Sequence, residues 1–231
     1  MKVCVKSGIA ETARLHYSVR YDDVTIGDGV VIEKWADLKR GVVVGSNALI
    51  DHDCIIGVAT TIGEGAIINE WVKIGNNVVI GDRVFIARDS VIADNVIIGD
   101  GAIIGSKDVD ACHAVVVIGE HVQIGDSAYI DSGTIIKAHA NVHTRCIVFA
   151  GAIIEEKAVI ETGSIIGINV RIGKSSVVYH NTDVPDYAIL PAGTDISNEV
   201  VLNEVVLPGY QRRMLAYYIR KVKNKLNIKW G

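Results

Sequence analysis

The residues with most chemistry to offer are histidines, and of the seven in this chain of 231 residues His52 has the most useful neighbours. It stands in Ile50-Asp51-His52-Asp53-Cys54-Ile55-Ile56-Gly57. On the 18-residue grid of the surrounding repeat, Lys34 lies one step before it and Glu70 one step after. The adjoining column reads Trp35, Asp53, Trp71, Asp89, so indoles flank the pair. A strand spacing of ~4.8 Å puts the Glu70 backbone about 5 Å from that of His52. An imidazole beside a carboxylate has its tautomer fixed and its protonated form stabilised, as a general base for an amine or hydroxyl requires. Asp53 and Glu70 are the candidates to orient it. The competing reading is an ordinary surface ladder of alternating charge.

The remaining histidines offer rivals. His113, with Asp108 and Asp110 nearby in sequence, is a second candidate base, more than three coils from His52 and unable to share one proton transfer with it. His121 and His139 occupy equivalent positions 18 residues apart and are expected to stack. With His143 nearby they resemble the zinc-binding histidines of hexapeptide-repeat carbonic anhydrases, which implies a carbonic anhydrase-like zinc enzyme as an alternative, and neutral imidazoles are good zinc ligands. No third ligand clearly converges on the stacked pair, and no metal site is assigned. The grid places His180 on the same corner as His52, seven coils on, and His16 fits no pattern.

These residues are positioned by a tandem array from Ile26 to Asp183. An aliphatic residue recurs every sixth position (Ile50, Ile56, Ile62, Ile68, Ile74, Ile80), and the residue four places later is small or β-branched (Cys54, Thr60, Ala66, Val72, Val78, Val84). The aliphatic position is called i below. A fixed six-residue period is the mark of a parallel β-helix: each hexad forms a short strand and a turn, and three hexads close one triangular coil. Positions i and i+4 face the interior, and Gly at i+1 suits tight corners. Such an interior is filled by side chains, so any active site must lie on the outer surface, most naturally in a groove between subunits. A slip of two residues at Asp110-Ala111 interrupts the period, which resumes at Cys112 and Ile118. Asp108 then falls at an inward position, where an unpaired carboxylate would be costly, so the chain is expected to bulge outward there.

The predicted domains are an N-terminal cap over 1–25, the β-helix over 26–183, and an extended tail with a C-terminal amphipathic helix over 184–231. That tail carries Met214, Tyr218, Val222 and Leu226 at helical spacing and seven cations after Gly209. Subtracting those seven from the net charge of −4 leaves the rest of the chain at −11. The basic helix could meet a membrane surface or cofactor phosphates, but docking on the chain's own acidic body or a trimer neighbour is the cheaper reading. The overall balance gives no reason to expect nucleic acid. Cys4, Cys54, Cys112 and Cys146 lack disulfide or metal-finger spacing, and the last three fall at inward positions, which reads as buried thiols in a reducing compartment. With no apolar leader and no stretch of ~18 apolar residues, a soluble cytoplasmic protein is expected and membrane association is not.

Four features resemble known families. The repeat is similar to that of the hexapeptide-repeat superfamily, which implies a left-handed β-helix. His52-Asp53-Cys54 followed by Ile55-Ile56-Gly57 resembles the His-acid-Cys-x-aliphatic-Gly signature of bacterial nucleotide-amino-sugar N-acetyltransferases and the related lipid A acyltransferases. The resemblance implies that His52 is the catalytic base and Asp53 orients it. Val178 to Gly193 similarly resembles the exit segment that helps to wrap acetyl coenzyme A (acetyl-CoA). The resulting expectation is an acetyl-CoA-dependent enzyme, a homotrimer, transferring acetyl to an amino group of a sugar or nucleotide sugar in surface polysaccharide biosynthesis. Gly63 or Gly81 would offer amides to the cofactor's thioester oxygen. The stretch before Val115-Val116-Val117-Ile118-Gly119 resembles the sugar O-acetyltransferases, in which His113 would be the base. A non-enzymatic trimeric scaffold is the remaining alternative.

Overall fold

The structure, a computed structural model, describes residues 8–106 and 114–197. All regular structure among them is strand. Thirty-one strands of two residues each are wound into three parallel sheets of eleven, ten and ten strands. The first face starts at Gly8–Ile9, the second at Arg14–Leu15 and the third at Arg20–Tyr21. Successive strands of one face are usually 18 residues apart, as in Ile50↔Ile68 and Ile56↔Ile74. The result is a triangular solenoid of about ten coils. Of the tail and helix expected over 184–231, residues 198–231 lie outside the described residues, as do Cys4 and Cys112.

Positions i and i+4 fill the interior as the period requires, and one continuous apolar cluster runs from Val24 to Ile196. An isoleucine side chain so buried contributes about 1.5–3 kcal/mol. Most polar residues that share position i+4 satisfy themselves in one repeated way, while Ser90 donates to the Ala87 carbonyl (2.7 Å) and Thr182 Oγ1 has no partner among the described residues. Thr60 donates to the Gly75 carbonyl (2.9 Å), Ser164 to Tyr179 (2.8 Å) and Ser176 to Pro191 (2.9 Å). Cys54 and Cys146 do the same through sulfur, to Asn69 (2.9 Å) and Glu161 (3.1 Å). Both thiols are buried, and burial pushes that of Cys54 up to about 12 and that of Cys146 up to about 11. Neither is a ready nucleophile.

The corners work differently from the sequence expectation. The left-handed residue sits at i+3, where Asp53, Trp71, Asn77 and Asp89 have φ near +60°. Glycine at i+1 serves close approach instead. A Cβ on Gly63 would lie 2.5 Å from the carbonyl oxygen of Gly81 in the next coil.

The solenoid also departs from the period in three places. It begins a coil before residue 26: Ile9 pairs with Ile26 and Leu15 with Ile32, 17 residues apart. The corner at Tyr21-Asp22-Asp23-Val24 is one residue short, which shifts the frame and hides this coil from a strict count of six. At the other end the strands continue to Ile196. Pro185 and Pro191 stand at i+1 corners of the last described coil, where no described strand follows to accept a backbone N–H. The interruption is larger than two residues. Ile92 pairs with Ile118, and Ile104 with Ile130, each 26 apart, so eight extra residues enter between Ile104 and Ile118. They leave and return at a single corner, since the Ser106 N–H donates to Ser132 Oγ (3.1 Å) and the Gly133 N–H to the Ala114 carbonyl (2.9 Å).

Candidate active site

The corner between the second and third faces carries His52. Ile50 and Cys54 point inward and anchor both ends of the turn Asp51-His52-Asp53, which leaves those three side chains on the outer edge. Asp51 Oδ1 accepts the His52 backbone N–H (2.7 Å), and the His52 carbonyl accepts the Trp71 N–H from the next coil (3.2 Å). With its backbone held on both sides, His52 turns its ring toward its own neighbour. Nδ1 lies 2.9 Å from Asp53 Oδ2. Asp53 reaches it because a left-handed residue (φ 59°) bends the chain there. If Nδ1 carries the proton it donates to the carboxylate, and Nε2 keeps its lone pair for a substrate proton. The imidazole also meets the Trp71 indole edge to face, with centroids 5.2 Å apart and planes at 87°. The side chains of His52 and Asp53 are 28% and 37% exposed, so the pair is open to a ligand yet sheltered on one side.

Glu70 does not join this pair. Its carboxylate goes to Arg88 Nη1 at 3.4 Å, one coil further on. Equivalent grid positions fix backbone proximity only, and a long Glu side chain is free to choose the cation. Lys34, on the other side, places Nζ 4.8 Å from the ring centre of Trp35.

Trp35 and Trp71 occupy the i+3 column of the same edge, with φ of 59° and 58°. A bulky side chain in this backbone region costs on the order of 1–3 kcal/mol, which Gly largely avoids and Asn reduces. Both indoles face solvent, 56% and 45% exposed, so burial returns little of that cost.

The other candidates are placed as follows. Gly63 and Gly81 lie at the corner between the first and second faces, a different edge from His52. Their N–H groups donate to Ile80 and Ile98 (both 2.8 Å), so the ladder consumes the donors an oxyanion would need. His113 lies outside the described residues, but the excursion that contains it springs from the His52 edge three coils further on, about 14 Å at ~4.8 Å per coil. His121 and His139 stack as expected, with ring centres 4.9 Å apart and planes at 4°, at the corner between the third and first faces. His143 follows Val142 of the first face and so belongs to another edge. Among the described residues no three His, Cys, Asp or Glu side chains are grouped to hold a metal. His180 is at the corner after the first face, beside Glu161 (3.5 Å), and not on the His52 corner. The eight extra residues break the count that placed it there. His16, in contrast, does share the His52 edge, two coils earlier, and its Nδ1 lies 2.8 Å from Ser18 Oγ.

The family model "Bacterial transferase hexapeptide (six repeats)" matches residues 77–107, and the model for the GMPPB C-terminal domain matches residues 107–212. The hexapeptide-repeat model thus matches one stretch of the solenoid. No curated protein matches it. Among solved structures it is similar to LpxA, a UDP-N-acetylglucosamine acyltransferase from Bacteroides fragilis, at 19% identity over 91% of this chain and 83% of that one, with a TM-score of 0.60. That likeness is one of fold. A Francisella novicida UDP-N-acetylglucosamine acyltransferase aligns at 20% identity over 91% of this chain and 78% of that one, TM-score 0.32. PerB from Caulobacter crescentus, solved with CoA and GDP-perosamine, aligns at 17% identity over 64% of this chain and 48% of that one, TM-score 0.31. The chain spans about half the length of PerB. No described helix is long and apolar enough to cross a membrane.

Proposed function

We propose that the chain is an acetyltransferase that moves acetyl from acetyl-CoA to an amino group of a sugar or nucleotide-linked sugar, for surface polysaccharide, with His52 as the general base. The observation that carries this reading is the 2.9 Å contact between His52 Nδ1 and Asp53 Oδ2 on an exposed edge of the solenoid. The amine nitrogen forms a bond to the thioester carbon while His52 Nε2 takes the proton that the nitrogen sheds. The carbon–sulfur bond then breaks, and the departing CoA thiolate takes up a proton. Both described thiols are buried, in keeping with direct transfer and no acyl-enzyme.

Charge favours an amine over an alcohol as acceptor. In the turns at residues 33–35, 51–53, 69–71 and 87–89, five carboxylates face two cations, and both cations are engaged, Lys34 over Trp35 and Arg88 with Glu70. Such an edge attracts an ammonium group and repels a diphosphate. The CoA phosphates therefore belong away from His52, against cations of later coils or the tail. A homotrimer completes the reading. The outward row of the second face, beside the His52 edge, is apolar from Val31 through Leu49, Ile67, Phe85, Ile103 and Tyr129 to Ile165. A neighbouring subunit on that face would turn the edge into a groove. The left-handed winding and the cytoplasmic location belong to the same reading.

The test is acetyl transfer from acetyl-CoA to a panel of amino sugars and nucleotide-linked amino sugars, followed by thiol release. His52→Ala should reduce kcat by about 10²–10⁴, the usual contribution of a general base. Full activity in that variant would remove His52 from the mechanism and return attention to His113.

A further inference from the structure

We propose that Trp35 and Trp71 are the acceptor-binding platform, two indoles that hold the ring of an amino sugar against His52. The proposal rests on the acetyltransferase reading and adds the residues that choose the acceptor.

Three observations carry it. The first is position. Trp35, Asp53 and Trp71 follow one another in a single column on successive coils, so the indoles bracket the carboxylate that holds the imidazole. The Asp53 N–H donates to the Lys34 carbonyl (3.1 Å) and the Trp71 N–H to the His52 carbonyl (3.2 Å). Two coils separate the tryptophans, about 10 Å at the strand spacing, which leaves room for a sugar ring beside Asp53. The second is conformation. Trp35 and Trp71 take the left-handed bend at i+3 (φ 59° and 58°), which the chain elsewhere fills with Gly, Asn or Asp and also with Arg83, Arg145, Lys157 and Tyr187, and both side chains stand on the outer edge. The third is exposure. Each indole keeps about half its surface open, 56% and 45%, while Trp71 also touches the His52 ring. An indole face packs against the C–H face of a pyranose and attracts a nearby cation. Carboxylates in the same turns favour an acceptor that carries an ammonium group.

Trp35→Asn and Trp71→Asn, singly and together, provide the experiment, because Asn tolerates positive φ and removes the indole without straining the corner. With acetyl-CoA saturating, each single variant should raise KM for the amino sugar about tenfold or more. kcat should change less than threefold for Trp35→Asn, KM for acetyl-CoA should not change, and the thermal midpoint should hold or rise. Trp71→Phe should recover most of the affinity. Binding without turnover is read from intrinsic fluorescence, since the chain has only one other tryptophan, Trp230. Glucosamine and its nucleoside-diphosphate conjugate should quench the native protein and not the double variant. Unchanged acceptor KM in an active double variant, or equal quenching in both proteins, overturns the platform. Quenching that depends on the indoles without any acetyl transfer keeps the platform and overturns the acetyltransferase reading.

Discussion

Asp53 and Glu70 are equivalent as carboxylates near His52 when only backbone positions are counted, and their side chains part company. Asp53 is short, sits on a left-handed bend and reaches Nδ1 at 2.9 Å, whereas Glu70 extends to Arg88 at 3.4 Å. Asp53→Asn should therefore lower kcat, by less than the ~10²–10⁴ lost with the base itself. Glu70→Gln should leave kcat within about threefold, because the Glu70 carboxylate holds Arg88 and not His52. Steady-state kinetics of the two variants side by side separate these roles, and a larger loss in Glu70→Gln would count against the assignment. The sequence made His52 and Asp53 legible because adjacency at a corner leaves their side chains little choice. The partner of Glu70 was not legible, since a flexible carboxylate between an imidazole and a guanidinium is decided by rotamer. The Trp35 and Trp71 column was visible from the start, but its meaning depended on two facts that only geometry supplies, a positive φ and an open indole face.

At the scale of the corner, the glycines at i+1 make a distinction that composition cannot. Gly63→Ala should cost about 1–3 kcal/mol in urea unfolding, since the new methyl meets the Gly81 carbonyl. Its specific activity per folded molecule should be unchanged, because Gly63 stands on another edge with its N–H bound to Ile80. A selective loss of activity would restore its role at the thioester. Another corner governs behaviour in acid. The Lys137 ammonium at 2.7 Å, and then the Arg171 guanidinium at 2.6 Å, hold the Glu155 carboxyl below its ordinary range. A carboxyl depressed in the folded state contributes stability above its unfolded pKa, near 4.3, and that stability is lost as pH falls through the folded value. The thermal midpoint of Glu155→Gln should accordingly fall below that of the native chain at pH 7, and the gap should narrow from about pH 5 downward. A gap independent of pH would mean that the ion pairs add nothing. Period counting found most strands for a simple reason: burial fixes residue type at i and i+4. It lost the first coil through one missing residue at Tyr21-Asp22-Asp23-Val24, and the last through prolines that are tolerated where the ladder ends.

The whole molecule is a stack whose faces differ. Its second face presents an apolar outward row, and Ile67, 38% exposed, lies near the middle of it. A carboxylate there should prevent close packing between copies, so Ile67→Glu should shift sedimentation from trimer to monomer while far-ultraviolet circular dichroism stays native. Acetyl transfer should fall with it if the groove needs a neighbour. A native protein that sediments as a monomer would refute the trimer outright. The repeat has one more consequence. Four coils beyond His52 on the same edge, in Asp131-Ser132-Gly133, Asp131 Oδ1 accepts the Ser132 N–H at 2.7 Å and Gly133 has φ of 72°, the same backbone arrangement as Asp51-His52-Asp53. Ser132→His with Gly133→Asp would write the histidine–carboxylate pair there in two substitutions, at the loss of the bond from the Ser106 N–H to Ser132 Oγ and with a new Cβ 3.0 Å from that of Ala114. The backbone of the corner is thus a template that recurs with height, and what each copy can carry is set by the contacts its neighbours already make.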